Sequence, residues 1–177
     1  LDLMVSAGFT MVFIGLETPV EDSLQAASKG QNLRGNMLTA VRRIQHAGIE
    51  VTGGFIIGFD SDPPDIGDRQ IRFVRHLAIP TAMVGLLIAL PNTRLWDRLT
   101  REGRILSRTN GNNTHGVELN FEPRTPRHIL VREYARVLHS IYSPRPYFAR
   151  CLKLLARIPR RSPGPGAGRL QGISRAQ

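Results

Sequence analysis

The chain has 177 residues, 41% of them hydrophobic, enough for the core of one domain or of one domain with an extension. Its single cysteine, Cys151, excludes an internal disulfide and any cysteine-built metal site, and makes a reducing compartment, the cytoplasm, the expected location. The net charge of +10 is uneven: residues 1–93 carry seven Lys or Arg against nine Asp or Glu, and the remainder carries seventeen against five.

In chain order, residues 2–7 read as the end of a helix with Gly8 as its C-cap. No charged-then-apolar leader precedes it, and no run reaches the roughly 20 apolar residues of a membrane span. A chain that opens at Leu1 inside such a helix is expected to have lost sequence from its front. Residues 10–16 are continuously apolar, as in a parallel-sheet strand covered on both faces, and stop at Glu17-Thr18-Pro19. Pro19 fits the first turn of a helix, and Glu21 and Asp22 suit its positive end. That helix is expected to reach Ser28, where Lys29-Gly30-Gln31-Asn32 breaks it. A second begins at Asn36, with Met37, Leu38, Val41, Ile44 and Gln45 at helical spacing, and Ala47-Gly48 closes it.

Residues 49–62 form the most informative stretch. A β-branched and aromatic run is punctuated by glycines and ends in Asp60-Ser61-Asp62. Gly54 and Gly58, four apart, fall on one face of a strand, where glycine costs stability unless something comes close to the backbone. A flat ligand across the strand end is one explanation; a bulge or packing against a helix is the other. A helix follows Pro63-Pro64-Asp65, with Ile66, Gln70, Phe73, Val74 and Leu77 as its stripe, and Ile79-Pro80 ends it. Residues 81–88 form a third apolar run, stopped by Ala89-Leu90-Pro91-Asn92-Thr93; residues 95–101 look helical, with Gly103 as their end.

Three apolar strands, each followed by helical sequence, are the repeated unit of a parallel α/β fold. Such folds build their sites from the C-terminal ends of the strands, here Glu17-Thr18, Asp60-Ser61-Asp62 and Pro91-Asn92-Thr93. Beyond Gly103 the pattern changes. Asn110-Gly111-Asn112-Asn113 reads as a turn and residues 117–121 as a short strand. An amphipathic helix with Ile129, Leu130, Tyr134, Val137, Leu138 and Ile141 follows, broken by Ser143-Pro144-Arg145-Pro146, and a basic helix is expected over 147–158. Such a helix usually presents a solvated face and less often meets a membrane surface. Residues 159–177 have no core-forming composition and read as a disordered tail. The bases are arginine apart from Lys29 and Lys153. This fits a compositional habit as well as a phosphate-binding surface, so nucleic acid is not an expected partner, although the alternatives are a basic binding or assembly module for nucleic acid or anionic lipid, or a nonfunctional truncated product.

Glu17-Thr18 with the preceding Phe13-Ile14-Gly15-Leu16, then Gly54-Phe55-Ile56-Ile57-Gly58, then Ala89-Leu90-Pro91-Asn92-Thr93-Arg94-Leu95 resemble the ends of strands four, five and six of a radical S-adenosylmethionine (radical SAM) enzyme barrel. Residues 104–150, with Gly111-Asn112 and Asn120-Phe121, resemble the helical extension of the cobalamin-binding members, to one of which, a hopanoid-type methylase, the chain is similar.

The resemblance implies an α/β fold: a partial parallel (βα) barrel over residues 1–103, a mainly helical extension over 104–158 and the basic tail over 159–177. It implies cofactor-binding roles for Glu17 and Thr18 at the ribose, for Gly54, Ile56 and Gly58 beside the adenine, and for Leu90 and Pro91 in the sixth-strand loop. S-adenosylmethionine is the implied cofactor. A [4Fe-4S] cluster, which would cleave it to an adenosyl radical, and a methyl-carrying cobalamin belong to the intact parent alone, because the family's Cys-x-x-x-Cys-x-x-Cys is absent here. Ser61 stands where the fifth-strand pattern usually ends in glutamate. The implied partners are the missing N-terminal half of the same polypeptide and a small-molecule or lipid substrate, with a peripheral membrane contact as a further one. On this reading the chain alone is inactive.

Each implied role has a plainer rival in the residues themselves. Glu17 fits a helix-N-terminal acid, Gly54, Ile56 and Gly58 fit barrel packing, and Pro91-Asn92-Thr93 fits a turn with an N-cap. Asp60 and Asp62 resemble a carboxylate pair or helix-capping acids. Lys29 and Arg34 reach either a ligand carboxylate or solvent. The five histidines show no ligand-like spacing, so no metal is assigned, and catalytic residues stay unassigned.

Overall fold

Three parallel strands, β1 (Met11–Glu17), β2 (Glu50–Ile57) and β3 (Ala82–Leu86), lie side by side in chain order. The computed structural model describes residues 1–26, 37–109 and 116–159. The expected helix end near Ser28, the residues Lys29, Arg34 and Asn36, the turn at 110–113 and the tail from residue 160 lie outside the described residues. Helices α1 (Asp2–Ser6), α2 (Glu21–Ala26), α3 (Met37–His46), α4 (Ile66–Leu77), α5 (Arg94–Arg101), α6 (Arg127–Tyr142) and α7 (Pro144–Leu155) complete the order. The architecture is α/β with a parallel sheet.

Helix ends fall where the glycines stand. Gly8, Gly48 and Gly103 take φ of +84°, +84° and +67° just past α1, α3 and α5. In each case the glycine N–H and the next N–H donate back to the last helical turn, as Gly103 does to Thr100 and Arg104 to Leu99.

One face of the sheet is packed and the other is open. Val51, Phe55 and Ile57 of β2 meet Val41 of α3, Val74 and Leu77 of α4, and Leu130, Tyr134, Val137 and Ile141 of α6 in one core. Burying each such side chain is worth about 1.5–3 kcal/mol. On the open face Met11, Phe13 and Met83 are 57%, 60% and 40% exposed. The expectation that β1 is covered on both faces is therefore corrected: its apolar run is continuous, but helices cover only one side of it among the described residues.

Two further expectations change. Residues 117–119 form no strand; the pairing is a single antiparallel bridge between Ile105 and Phe121. Asn120 does the joining instead: its side chain accepts from the Ala89 N–H at 2.9 Å and donates to the Ala89 carbonyl at 2.7 Å, imitating a strand neighbour beyond β3. Pro144 and Pro146 lie in the first turn of α7, where the fixed φ of proline suits helix entry and the missing N–H leaves no bond unmade. α7 thus starts three residues before its expected first residue, with Ser143 alone between it and α6.

Candidate functional site

The C-terminal ends of the three strands open on one cleft of about 910 Å³, whose lining includes Glu17, Ile56, Phe59, Asp60, Ser61, Leu90 and Thr93. An adjoining apolar hollow of about 300 Å³ runs down the open sheet face over Gly15, Gly54, Gly85, Phe13 and Met83.

Glu17 links the two spaces. Gly15 pairs with Gly54 and Glu17 with Phe55, leaving Leu16 as the extra residue of a bulge. At the bulge Glu17 takes φ +63°, a left-handed conformation that costs a non-glycine residue about 1–3 kcal/mol and tends to mark functional positions. Its backbone carbonyl is held from behind by Gln70 of α4, whose buried amide donates at 3.2 Å. Its carboxylate folds toward Gly15, where an added Cβ would stand 2.7 Å from Oε1. Since α2 begins only at Glu21, Glu17 is a strand-end residue and the alternative of a helix-N-terminal acid is corrected.

The other implied cofactor residues divide. Ile56 and Leu90 line the cleft with Glu17, and Gly54 lies on the floor of the hollow. Thr18 is fully buried and its hydroxyl accepts from the Val20 N–H, away from the lining residues. Gly54 carries the Phe13 ring above it: a Cβ there would come within 2.9 Å of Phe13 Cζ. Gly58 does not share the strand with Gly54, as the four-residue spacing had led us to expect, because β2 ends at Ile57. It takes φ +112° and only ordinary contacts surround its Cα, so its backbone conformation is what requires glycine. Pro91 stands in the turn, with Asn92 at φ +64° beyond it, and is not among the lining residues. Thr93 caps α5, accepting from the Trp96 N–H at 3.2 Å, and also faces the cleft.

Asp60 and Asp62 are neither a pair nor helix caps. Asp62 turns inward: Oδ2 accepts from the Gly58 and Phe59 N–H groups at 2.8 and 3.0 Å, and Oδ1 from Ser23 Oγ at 2.8 Å. Burial pushes its carboxyl above the usual range, against those bonds. Asp60 turns to the cleft wall. Arg104 grips it with two bonds of 2.7 and 2.8 Å, and Arg98 adds one of 2.9 Å. The Arg104 hydrogen bond, opposed by burial and aided by the charges of both arginines, holds this carboxyl below its ordinary value.

Sequence reasoning did not single out the arginines of this wall. Arg94, Arg98 and Arg124 line the cleft and Arg104 stands behind Asp60. Arg94 and Arg98, four apart after the N-cap Thr93, form one helix face legible in the sequence. Arg124 and Arg104 reach the site only through the fold. With the Glu17 carboxylate, the arginine-bound Asp60, apolar Ile56 and Leu90, and the guanidinium groups of Arg94 and Arg124 all in its lining, the cleft suits a flat, partly apolar ligand with hydroxyl and anionic groups. No group of three or more His, Cys, Asp or Glu among the described residues is placed to hold a metal. The one cysteine lies on α7 and does not fit a three-thiolate cluster.

Comparison with known proteins agrees with a methylase-like relationship. Residues 93–174 match the family described as a domain of unknown function, DUF4070. An uncharacterized methyltransferase of Synechocystis sp. is 43% identical over 158 residues, covering 89% of this chain and 30% of the relative. The hopanoid C-2 methylase of Rhodopseudomonas palustris is 44% identical over 106 residues, 60% of this chain and 20% of that protein. An uncharacterized methyltransferase of Pyrococcus horikoshii is 29% identical over 94 residues, 53% of this chain and 20% of the relative. The chain is thus similar to proteins named as methyltransferases and spans about a third or less of their length.

Proposed function

We propose that the chain is part of a radical SAM methyltransferase, cobalamin-dependent in its complete form, and that the strand-end cleft holds part of S-adenosylmethionine. The observation that carries this reading is the convergence of Glu17, Ile56 and Leu90, from three successive strand ends, on one cleft of about 910 Å³. The similarity to named methyltransferases supports it.

Each ligand group has a counterpart. Glu17 offers acceptor sites to the ribose hydroxyls. Ile56 and Leu90 are the apolar surfaces that suit the adenine, and Arg94 and Arg124 suit the methionine carboxylate. When bound, S-adenosylmethionine supplies the radical and methyl-transfer chemistry; this chain binds, orients and shields it. The cluster and cobalamin ligands belong to the rest of the polypeptide, and no electron-transfer step is assigned to these residues. The further partners on this reading are the upstream part of the same protein, against the open sheet face and the outer edge of β1, and a small-molecule or lipid substrate.

The test is titration of the 15N-labelled chain with S-adenosylhomocysteine. Shifts centred on Glu17, Gly54, Ile56 and Leu90 are expected, and Glu17→Gln should weaken binding about ten-fold, the worth of one charge-assisted hydrogen bond. Shifts confined to α6 and α7 would remove the cleft from consideration. Metal analysis of the same sample should find no stoichiometric iron.

A further inference from the structure

The far end of the molecule carries a second feature, independent of the cleft. α7 was expected to present its basic face to solvent. Arg150 instead lies buried, its guanidinium donating to the carbonyls of Ile79 (2.8 Å), Ile141, Pro80 (3.3 Å) and Pro146 (3.3 Å). The exposed side keeps Arg145 and Lys153, as expected, and also carries an apolar stripe. Phe148, Leu152 and Leu155, at helical spacing, are 61%, 66% and 68% exposed.

Beside this stripe runs a cationic one. Arg145, Ala149 and Lys153, four apart on α7, join Arg75 of α4 around a surface pocket of about 450 Å³ with Arg150 at its base and no carboxylate in its lining. Arg42 and Arg157 lie close enough to Lys153 to act on its charge, and burial with these two neighbours lowers the ammonium pKa. None of the ion pairs among the described residues involves Arg42, Arg75, Arg145, Lys153 or Arg157. A site that gathers cations without counter-ions invites an anion.

We infer that α7 docks this chain on a membrane surface containing anionic phospholipid, the pocket of Arg75, Arg145 and Lys153 taking a headgroup phosphate while Phe148, Leu152 and Leu155 enter the headgroup–acyl boundary. Charge complementarity selects the occupant, and the stripe selects a lipid over a soluble anion. A helix of 12 residues is about 18 Å long and cannot span a bilayer, so it lies in the plane of the surface. Two of the three exposed apolar residues are aliphatic, which does not make a base-stacking platform for single-stranded nucleic acid.

Flotation of the 177-residue chain with vesicles decides the matter. The chain should partition onto mixed phosphatidylglycerol–phosphatidylcholine vesicles, weakly or not at all onto pure phosphatidylcholine, and less as salt rises. Arg145→Gln and Lys153→Gln should each lower the partition about five-fold. Phe148→Ala with Leu152→Ala should lower it about ten-fold or more while keeping the wild-type circular dichroism and the residual salt dependence. Equal binding to neutral vesicles, or unchanged binding by these variants, overturns the assignment. So does saturable binding of inorganic phosphate without vesicle partition, which would mark a soluble-anion site, or tighter binding to an oligonucleotide that Phe148→Ala and Leu152→Ala leave intact.

Discussion

Asp60 and Asp62 stand two residues apart and meet opposite environments. Asp62 is bound by backbone N–H groups and a serine hydroxyl, with burial dominating and its carboxyl raised. Asp60 is held by guanidinium groups, its side chain 10% exposed and its carboxyl depressed. A depressed carboxyl contributes stability above the ordinary carboxylate range, and that contribution is lost as pH falls through the lower folded value. Asp60→Asn leaves Arg104 with Glu102 as its ion-pair partner and the Glu122 carbonyl as an acceptor, and should cost about 2 kcal/mol near neutral pH, less than a fully buried pair because Arg104 stays partly solvated. Urea midpoints of the two proteins should therefore differ most at pH 6–7 and draw together as pH falls below about 4, since Asp60 is then protonated in the wild type and its ion pair with Arg104 is absent from both. A gap that stayed constant down to acid pH would assign the effect to packing.

At the scale of elements, α7 is held by buried Leu154 and, through four carbonyls, by Arg150. Arg150 crosses from α7 to the Ile79-Pro80 entry of β3 and to the C-terminal carbonyl of Ile141 in α6, with the Tyr142 and Tyr147 rings 5.8 and 5.7 Å from its guanidinium carbon. Burial disfavours its charge and lowers its pKa, yet carbonyls and ring faces surround it in place of a carboxylate. Arg150→Met keeps much of the volume and removes every donor. It should destabilise by about 2–4 kcal/mol, with faster amide hydrogen exchange first in α7. Exchange rising uniformly across the chain would mean α7 has no separate opening. Contacts of this kind mark the limit of sequence reading. The strand ends and helix-closing glycines were legible because their signals are local: Gly8, Gly48 and Gly103 stand where the periodic pattern stops. Arg150 with Ile79, Gln70 with Glu17 and Asp60 with Arg104 are 71, 53 and 44 residues apart, and nothing in either partner's neighbourhood announces the other. The expected strand at residues 117–121 failed for the same reason. Residues 117–121 alternate like a strand, but Asn120 makes the connection through its side chain.

For the molecule as a whole, the uneven covering of the sheet decides its behaviour. Helices bury one face, while Met11, Phe13 and Met83 stand in water on the other and β1 has a strand neighbour on one side alone among the described residues. An apolar sheet face beside an unpaired edge is a template for association. On the reading proposed here, the longer relatives use that face and edge to complete the wall of the cleft, so self-association of this chain is an expected consequence of the same open face. Phe13→Lys with Met83→Lys adds two charges to the open face and removes no contact from the covered core. Sedimentation velocity over a concentration series should show self-association falling, while the unfolding free energy from urea titration changes by less than about 0.5 kcal/mol. Both residues line the apolar hollow, so S-adenosylhomocysteine shifts at Gly54 should weaken while those at Thr93, which lines the cleft and not the hollow, persist. Association that survives both charges would transfer the sticky surface to α7, where Phe148, Leu152 and Leu155 form the other exposed apolar stripe, and Leu152→Lys would then be the change that abolishes it.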